Sequence, residues 1–203
     1  MKNRYLYFAI LLSFTVQAQI YSGTTSLGSS MTLDITMNTT TDSLEIELSG
    51  PSSGYFSVGF GSTGMNGTYI LLVNSNGTMA ERKLGQYNGG SVLTSSITYS
   101  AVTAGSTRTA YIERSRIGAT ANHYTFSATG GSVTLIWAKG GSSFGNHGNA
   151  NRGIGTINLV NQCNIPTTTL TPLSICLGDS VQIFGEWVSQ QGTYADTLAT
   201  AIG

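Results

Sequence analysis

Apolar and polar side chains alternate along most of this chain with a period of two. In MTLDITM, Met31, Leu33, Ile35 and Met37 alternate with Thr32, Asp34 and Thr36; in SLEIELS, Leu44, Ile46 and Leu48 alternate with Glu45 and Glu47. Successive side chains of a strand point to opposite faces, so these runs read as strands with one face in a core and the other in water. The same reading predicts strands over 55–60, 69–73, 78–84, 92–99, 108–114, 132–138 and 155–160, separated by turn signals such as NSNGT, YNGG and ATGG. A helical period nowhere persists for three turns. The pattern predicts an all-β fold, an antiparallel β-sandwich of about eight to ten strands.

Composition agrees with that class: only 9% of the residues are charged and 26 are glycine, as in exported β proteins with many tight turns. The first residues, MKNRYLYFAILLSFTVQAQ, place Lys2 and Arg4 before a short apolar run and then Val16-Gln17-Ala18, the small-x-small pattern of a signal peptidase site. We read 1–18 as a signal peptide and the mature protein as secreted or held at the cell surface. The apolar run is well short of the roughly 20 residues that a spanning helix needs, and no transmembrane segment is expected in the mature chain. Loss of Lys2 and Arg4 leaves seven basic residues against nine acidic ones. There is no basic stripe for nucleic acid or anionic lipid.

The composition shifts at NQCNIPTTTLTPLS, where Pro166, Pro172 and a threonine run predict an extended linker. The expected organisation is a signal peptide at 1–18, a β-sandwich domain at 19–161, a linker at 162–174 and an incomplete β-rich module at 175–203. The last segment, ICLGDSVQIFG followed by GTYADTL, resembles the repeats of secreted Bacteroidetes surface proteins. That resemblance implies a surface spacer without chemistry, and the chain is expected to end inside it, just before the repeat's next cysteine. Cys163 and Cys176 could close one short disulfide loop, or one of them could await a partner beyond residue 203.

Several chemistries lack their residues. His123 and His147 are too few for a histidine-rich metal site, no carboxylate pair stands in a catalytic frame, and neither a nucleophile elbow nor a phosphate-binding glycine loop precedes a helix. With no C-x-x-C-H, covalent c-type haem is excluded. There remain Met65, in the turn TGMNGTYILLV, and His147, in GGSSFGNHGNANRGIG, each in a glycine-rich loop beside an apolar strand. A thioether in a turn is either a casual surface residue or a sulfur aimed at something. One thioether and one imidazole facing each other across an apolar slot are what six-coordinate electron-transfer haem requires.

The run DSLEIELSGPSSGYFSVGFGSTGMNGTYILLV resembles the first half of a DOMON domain, in which an aromatic, glycine-rich strand leads into a Gly-Met-x-Gly turn. AYIERS is similar to that family's strand ending in arginine, and LIWAKGG, His147 and GIGTINLV resemble its closing segment. The likeness spans roughly 28–160. It implies an immunoglobulin-like β-sandwich and, as in the haem-binding members typified by the cytochrome domain of cellobiose dehydrogenase, non-covalent haem b with Met65 and His147 as axial ligands. Single-electron transfer to an unidentified extracellular redox partner is the implied function, and enzymatic turnover is not expected, because a six-coordinate iron has no open position for substrate.

Arg152 could neutralise a haem propionate or stand as a solvated loop arginine. Arg114, the strand-end arginine, is expected to pair with a carboxylate or carbonyl; His123 reads as a polar loop residue; Trp137 and Phe60 read as sandwich core. Asn38, Asn66 and Asn76 begin Asn-x-Thr sequons and read as unmodified turn residues. The alternatives are a carbohydrate-binding DOMON module, with Tyr55, Tyr69 and Tyr87 as exposed stacking faces, and a purely structural adhesion module of the cell surface.

Overall fold

The computed structural model describes residues 19–145 and 147–162, together with two short strands at 181–183 and 186–188. The expected signal peptide, Cys163, Cys176, the expected linker from 163 onward and most of the expected last module lie outside the described residues. Eleven antiparallel strands form the first unit: β1 (Ile20–Leu27), β2 (Met31–Asn38), β3 (Ser43–Pro51), β4 (Phe56–Phe60), β5 (Tyr69–Val73), β6 (Met79–Gly85), β7 (Asn88–Val92), β8 (Thr98–Ala104), β9 (Thr107–Ser115), β10 (Gly131–Lys139) and β11 (Arg152–Gln162). Their spatial order is β7-β6-β5-β4-β10-β11-β1-β2-β3-β9-β8. The fold is an all-β sandwich, with one 3₁₀ turn at Asn149–Asn151 and no α-helix among the described residues.

Chain contacts divide between Asn164 and Ile165. In the second unit β12 (Val181–Ile183) and β13 (Glu186–Val188) pair antiparallel.

Pairing follows the alternation. Leu33 stands opposite Leu48 and Ile35 opposite Ile46 across β2 and β3, and Ile46 faces Ile112 across β9. Their buried side chains meet Val58, Phe60, Leu71 and Leu135 of the other layer in one apolar core. Burying each such side chain contributes roughly 1.5–3 kcal/mol, so the register that puts all of them inward is strongly selected.

The structure departs from the sequence reading in two places. β1 was not expected, because its inward row of Tyr21, Gly23, Thr25 and Leu27 is interrupted by small and polar residues. A Cβ at Gly23 would lie 2.2 Å from the Asn158 carbonyl oxygen of β11, so the close approach of the two strands demands glycine. The single strand expected over 92–99 is instead the end of β7, a crossing at 93–97 and the start of β8. Leu93 and Ile97 pack on the core margin, and Leu93 N–H donates to Glu81 O, 2.9 Å. Apolar alternation there marks passage between sheets.

In β4 and β5 every residue is buried. Both faces of these strands are therefore covered, as their continuous apolar runs, FSVGF and YILLV, require. On the outward face Tyr55, Ile70, Leu72 and Leu84 form a second apolar cluster, packed with Met65, Ile136 and Phe144.

Candidate functional site

The loops that cover this second cluster enclose a cavity of about 1530 Å³, whose lining includes Met65, His147 and Arg152. It is larger than the ~300–1,000 Å³ of ordinary small-molecule sites.

Met65 comes from the loop between β4 and β5. Gly61 N–H donates to Thr134 O at 2.8 Å and Gly67 N–H to Leu84 O at 2.9 Å, which ties both ends of the loop to the sheet. Buried Thr68 closes the turn from within: its N–H donates to Met65 O, 2.9 Å, and its hydroxyl to Gly64 O, 2.5 Å. The thioether therefore leaves a turn whose backbone is hydrogen-bonded on both sides of it, and it packs, half-buried, on the outer cluster.

His147 belongs to the loop between β10 and β11. That loop is held by Tyr55, whose hydroxyl donates to Gly145 O at 2.9 Å and whose ring meets Phe144 edge-on at 5.2 Å. Burial pushes the Tyr55 phenol pKa up, keeping this donor protonated. His147 is half-buried, and its Nδ1 lies 3.0 Å from Gly148 O. A carbonyl only accepts, so in the neutral ring Nδ1 carries the proton and Nε2 the lone pair, the form in which imidazole ligates a metal.

Two arginines line the cavity and no carboxylate does. Arg152 donates to Asn149 Oδ1 at 2.7 Å. Arg82 donates to Gly89 O at 2.7 Å and Gly90 O at 3.0 Å, and its guanidinium lies 5.1 Å over the Phe144 ring. Among the described residues neither forms an ion pair. Arg82 is the residue that the sequence reading missed; its signal was one cation on the outward row of β6, opposite Ile70 of β5. Phe144, a lone aromatic in GGSSFGNHG, was equally legible and equally overlooked.

Two expectations need correction and a third needs completing. Tyr55 and Tyr69 are buried, at 0% and 2% exposure, and offer no stacking face to a sugar; only Tyr87 of that trio, 85% exposed at the cavity rim, does. His123 lies in a loop, as expected, but is buried there: Nδ1 shares a hydrogen bond with Thr120 Oγ1 at 2.8 Å, Nε2 donates to Thr94 O at 3.3 Å, and Glu81 Oε1 lies 3.7 Å away. Trp137 is only half-buried, packed on the margin of the core and bordering the cavity. Phe60 is core, as expected.

Arg114 is structural, donating to Ser115 O at 2.9 Å and Tyr124 O at 2.7 Å and covering the Tyr69 ring at 5.1 Å. Tyr69 donates to Glu81 at 2.6 Å, and its pKa lies well above the ordinary phenol range. Burial is the main cause; Arg114 opposes the rise and Glu81 adds to it. This cluster knots the strands behind the Met65 loop. Asn38 and Asn76 accept turn hydrogen bonds from Thr40 and Thr78, 3.0 Å each, and Asn66 borders the cavity. No group of three histidine, cysteine or acidic side chains suited to a metal occurs among the described residues, and no helix among them is long and apolar enough to cross a membrane.

No family model and no curated protein matches this chain. Among solved structures it is similar to the cytochrome domain of Myriococcum thermophilum cellobiose dehydrogenase, with a TM-score of 0.49 and 13% identity over 64% of this chain and 75% of that one. It is also similar to the cytochrome b domain of pyranose dehydrogenase from Coprinopsis cinerea, with a TM-score of 0.45 and 15% identity over 63% of this chain and 76% of that one.

Proposed function

We propose that this chain is an exported electron-transfer module that binds haem b between Met65 Sδ and His147 Nε2 and exchanges single electrons with an extracellular redox partner. The observation that carries the reading is that those two donors, 82 positions apart in the sequence, line one largely apolar cavity whose polar rim supplies two guanidinium groups that form no ion pair among the described residues. The donor set fits the group: an imidazole whose Nδ1 faces a carbonyl and whose Nε2 is left to ligate, a soft thioether, an apolar floor of Ile70, Leu84 and Ile136, and cations for two propionates. When bound, haem supplies a one-electron couple, which the thioether biases toward the ferrous state.

The chain's own residues do the rest. Gly148 O holds the imidazole proton on Nδ1, Thr68 fixes the turn behind the sulfur, Tyr55 and Phe144 anchor the histidine loop, and Arg82 and Arg152 would receive the carboxylates. The carbohydrate-binding reading retains Tyr87 as its only exposed aromatic of the three once considered.

The test is the absorption spectrum of the full exported chain, produced with haem supplied, before and after dithionite. The expected result is a sharp Soret band with narrow α and β bands on reduction. His147→Ala should lose most of the haem, and Met65→Ala should keep it in a high-spin form of lower potential. A colourless protein that also fails to take up added haemin overturns the reading.

A further inference from the structure

The sandwich ends in two edge strands, β7 and β8, and treats them differently. Unpaired strand edges template association, and proteins usually blunt them with bulges, charges, proline or a covering loop. β7 is blunted: it is five residues long, its ladder with β6 shifts register between Lys83 and Gly85, and Phe144 lies against Gly89.

Among the described residues β8 has none of these devices. Its seven residues, TYSAVTA, include no charge, no proline and no glycine, and they pair with β9 in unbroken register from Thr98–Glu113 to Ala104–Thr107. Every one of them is exposed, Val102 to 57%, and no other described strand pairs with the free edge.

We propose that β8 is a strand-addition edge whose partner is β8 of a second copy of this chain, joined antiparallel about a two-fold axis at Ala101. The sequence is self-complementary in that register. Thr98 meets Ala104, Tyr99 meets Thr103, Ser100 meets Val102 and Ala101 meets itself, so no charge faces any other across a seam about 24 Å long. The carboxylates that might oppose the joining stand back from it. Glu113 lies on β9, opposite Thr98, so the Glu113 rows of the two copies are separated by about three strand spacings, roughly 14 Å, which exceeds the Debye length of about 8 Å at physiological ionic strength. A basic partner segment would find no carboxylate on β8 to pair with.

Sedimentation equilibrium of the full exported chain tests this. The expected result is a concentration-dependent dimer that persists or tightens as salt is raised, because no ion pair holds the seam. Ala101→Lys and Ala101→Glu each place like charges directly opposite at the axis and should weaken the dimer about tenfold or more, while mixing the two variants should restore it as a heterodimer. If Ala101→Lys proves unfolded by circular dichroism, Val102→Lys, at a more exposed position, takes its place. A chain that stays monomeric at about 100 μM, so that any self-association is weaker than about −5.5 kcal/mol, overturns the proposal. So does a dimer indifferent to these substitutions. The readout does not involve haem, so its failure is separate from failure of the proposed function.

Discussion

Thr68 decides where the Met65 sulfur points, because one buried residue donates to the carbonyls of both Gly64 and Met65. Thr68→Val keeps the shape and the backbone donor but deletes the hydroxyl. The expected cost is about 1 kcal/mol of stability, read as a lower denaturation midpoint with an unchanged denaturant slope. Under the proposed function, the same variant loaded with haem should show a weaker spectroscopic signature of thioether ligation with haem content intact, and Thr68→Ser should restore it. A Thr68→Val protein with wild-type stability and spectrum would make the hydroxyl bond incidental. The residue types at this site were legible in sequence because a methionine in a glycine turn and a histidine in a glycine loop are each out of place. What periodicity could not give is Arg82: its guanidinium reaches the site by lying over Phe144 and bonding the carbonyls of Gly89 and Gly90, contacts that exist only once the β6–β7 hairpin is folded.

At the scale of elements, the outward face of the β1-β2-β3-β9-β8 layer carries an arrangement that local rules disfavour. Asp34 stands directly opposite Glu47, and Glu45 directly opposite Glu113. Like charges in such positions destabilise a sheet, and the opposite pairing stabilises it by roughly 0.2–1 kcal/mol. Glu113→Lys should therefore raise the melting temperature by a few degrees at low salt, and the gain should shrink toward zero near 1 M NaCl, where the Debye length falls to about 3 Å. A gain of equal size at both salt concentrations would assign the effect to packing, and a loss would sink the argument. The alternation that exposes those glutamates also made β2, β3 and β9 readable without a structure. β1 escaped for the opposite reason: Gly23, required by its approach to Asn158, removes an apolar position from its inward row. The crossing at 93–97 imitated a strand because Leu93 and Ile97, four residues apart, fall in phase with a period of two, though they pack at the core margin between two sheets.

For the whole molecule, the buried phenols set an alkaline limit on stability. Tyr69 lies at the junction of the core with the Glu81, His123 and Arg114 cluster, and its native pKa stands well above the ordinary value of 10.0, with burial as the leading cause; burial raises Tyr55 and Tyr124 as well. A native pKa raised above the unfolded one contributes stability that is fully present below pH 10 and is lost as pH rises further. The unfolded chain then releases a proton that the native state retains, so above that pH the unfolded state binds fewer protons and stability falls. For a single tyrosine the slope reaches at most about 1.4 kcal/mol per pH unit. Tyr69→Phe cannot ionise. It should be less stable than wild type at neutral pH, because Glu81 loses a hydrogen-bond donor, yet it should lose stability less steeply between pH 10 and 11. Urea unfolding at a series of pH values gives both quantities from one set of curves. Parallel alkaline limbs for the two proteins would mean that the Tyr69 phenol ionises in the native state as readily as in the unfolded chain, and that the knot behind the Met65 loop opens to solvent before the sandwich does.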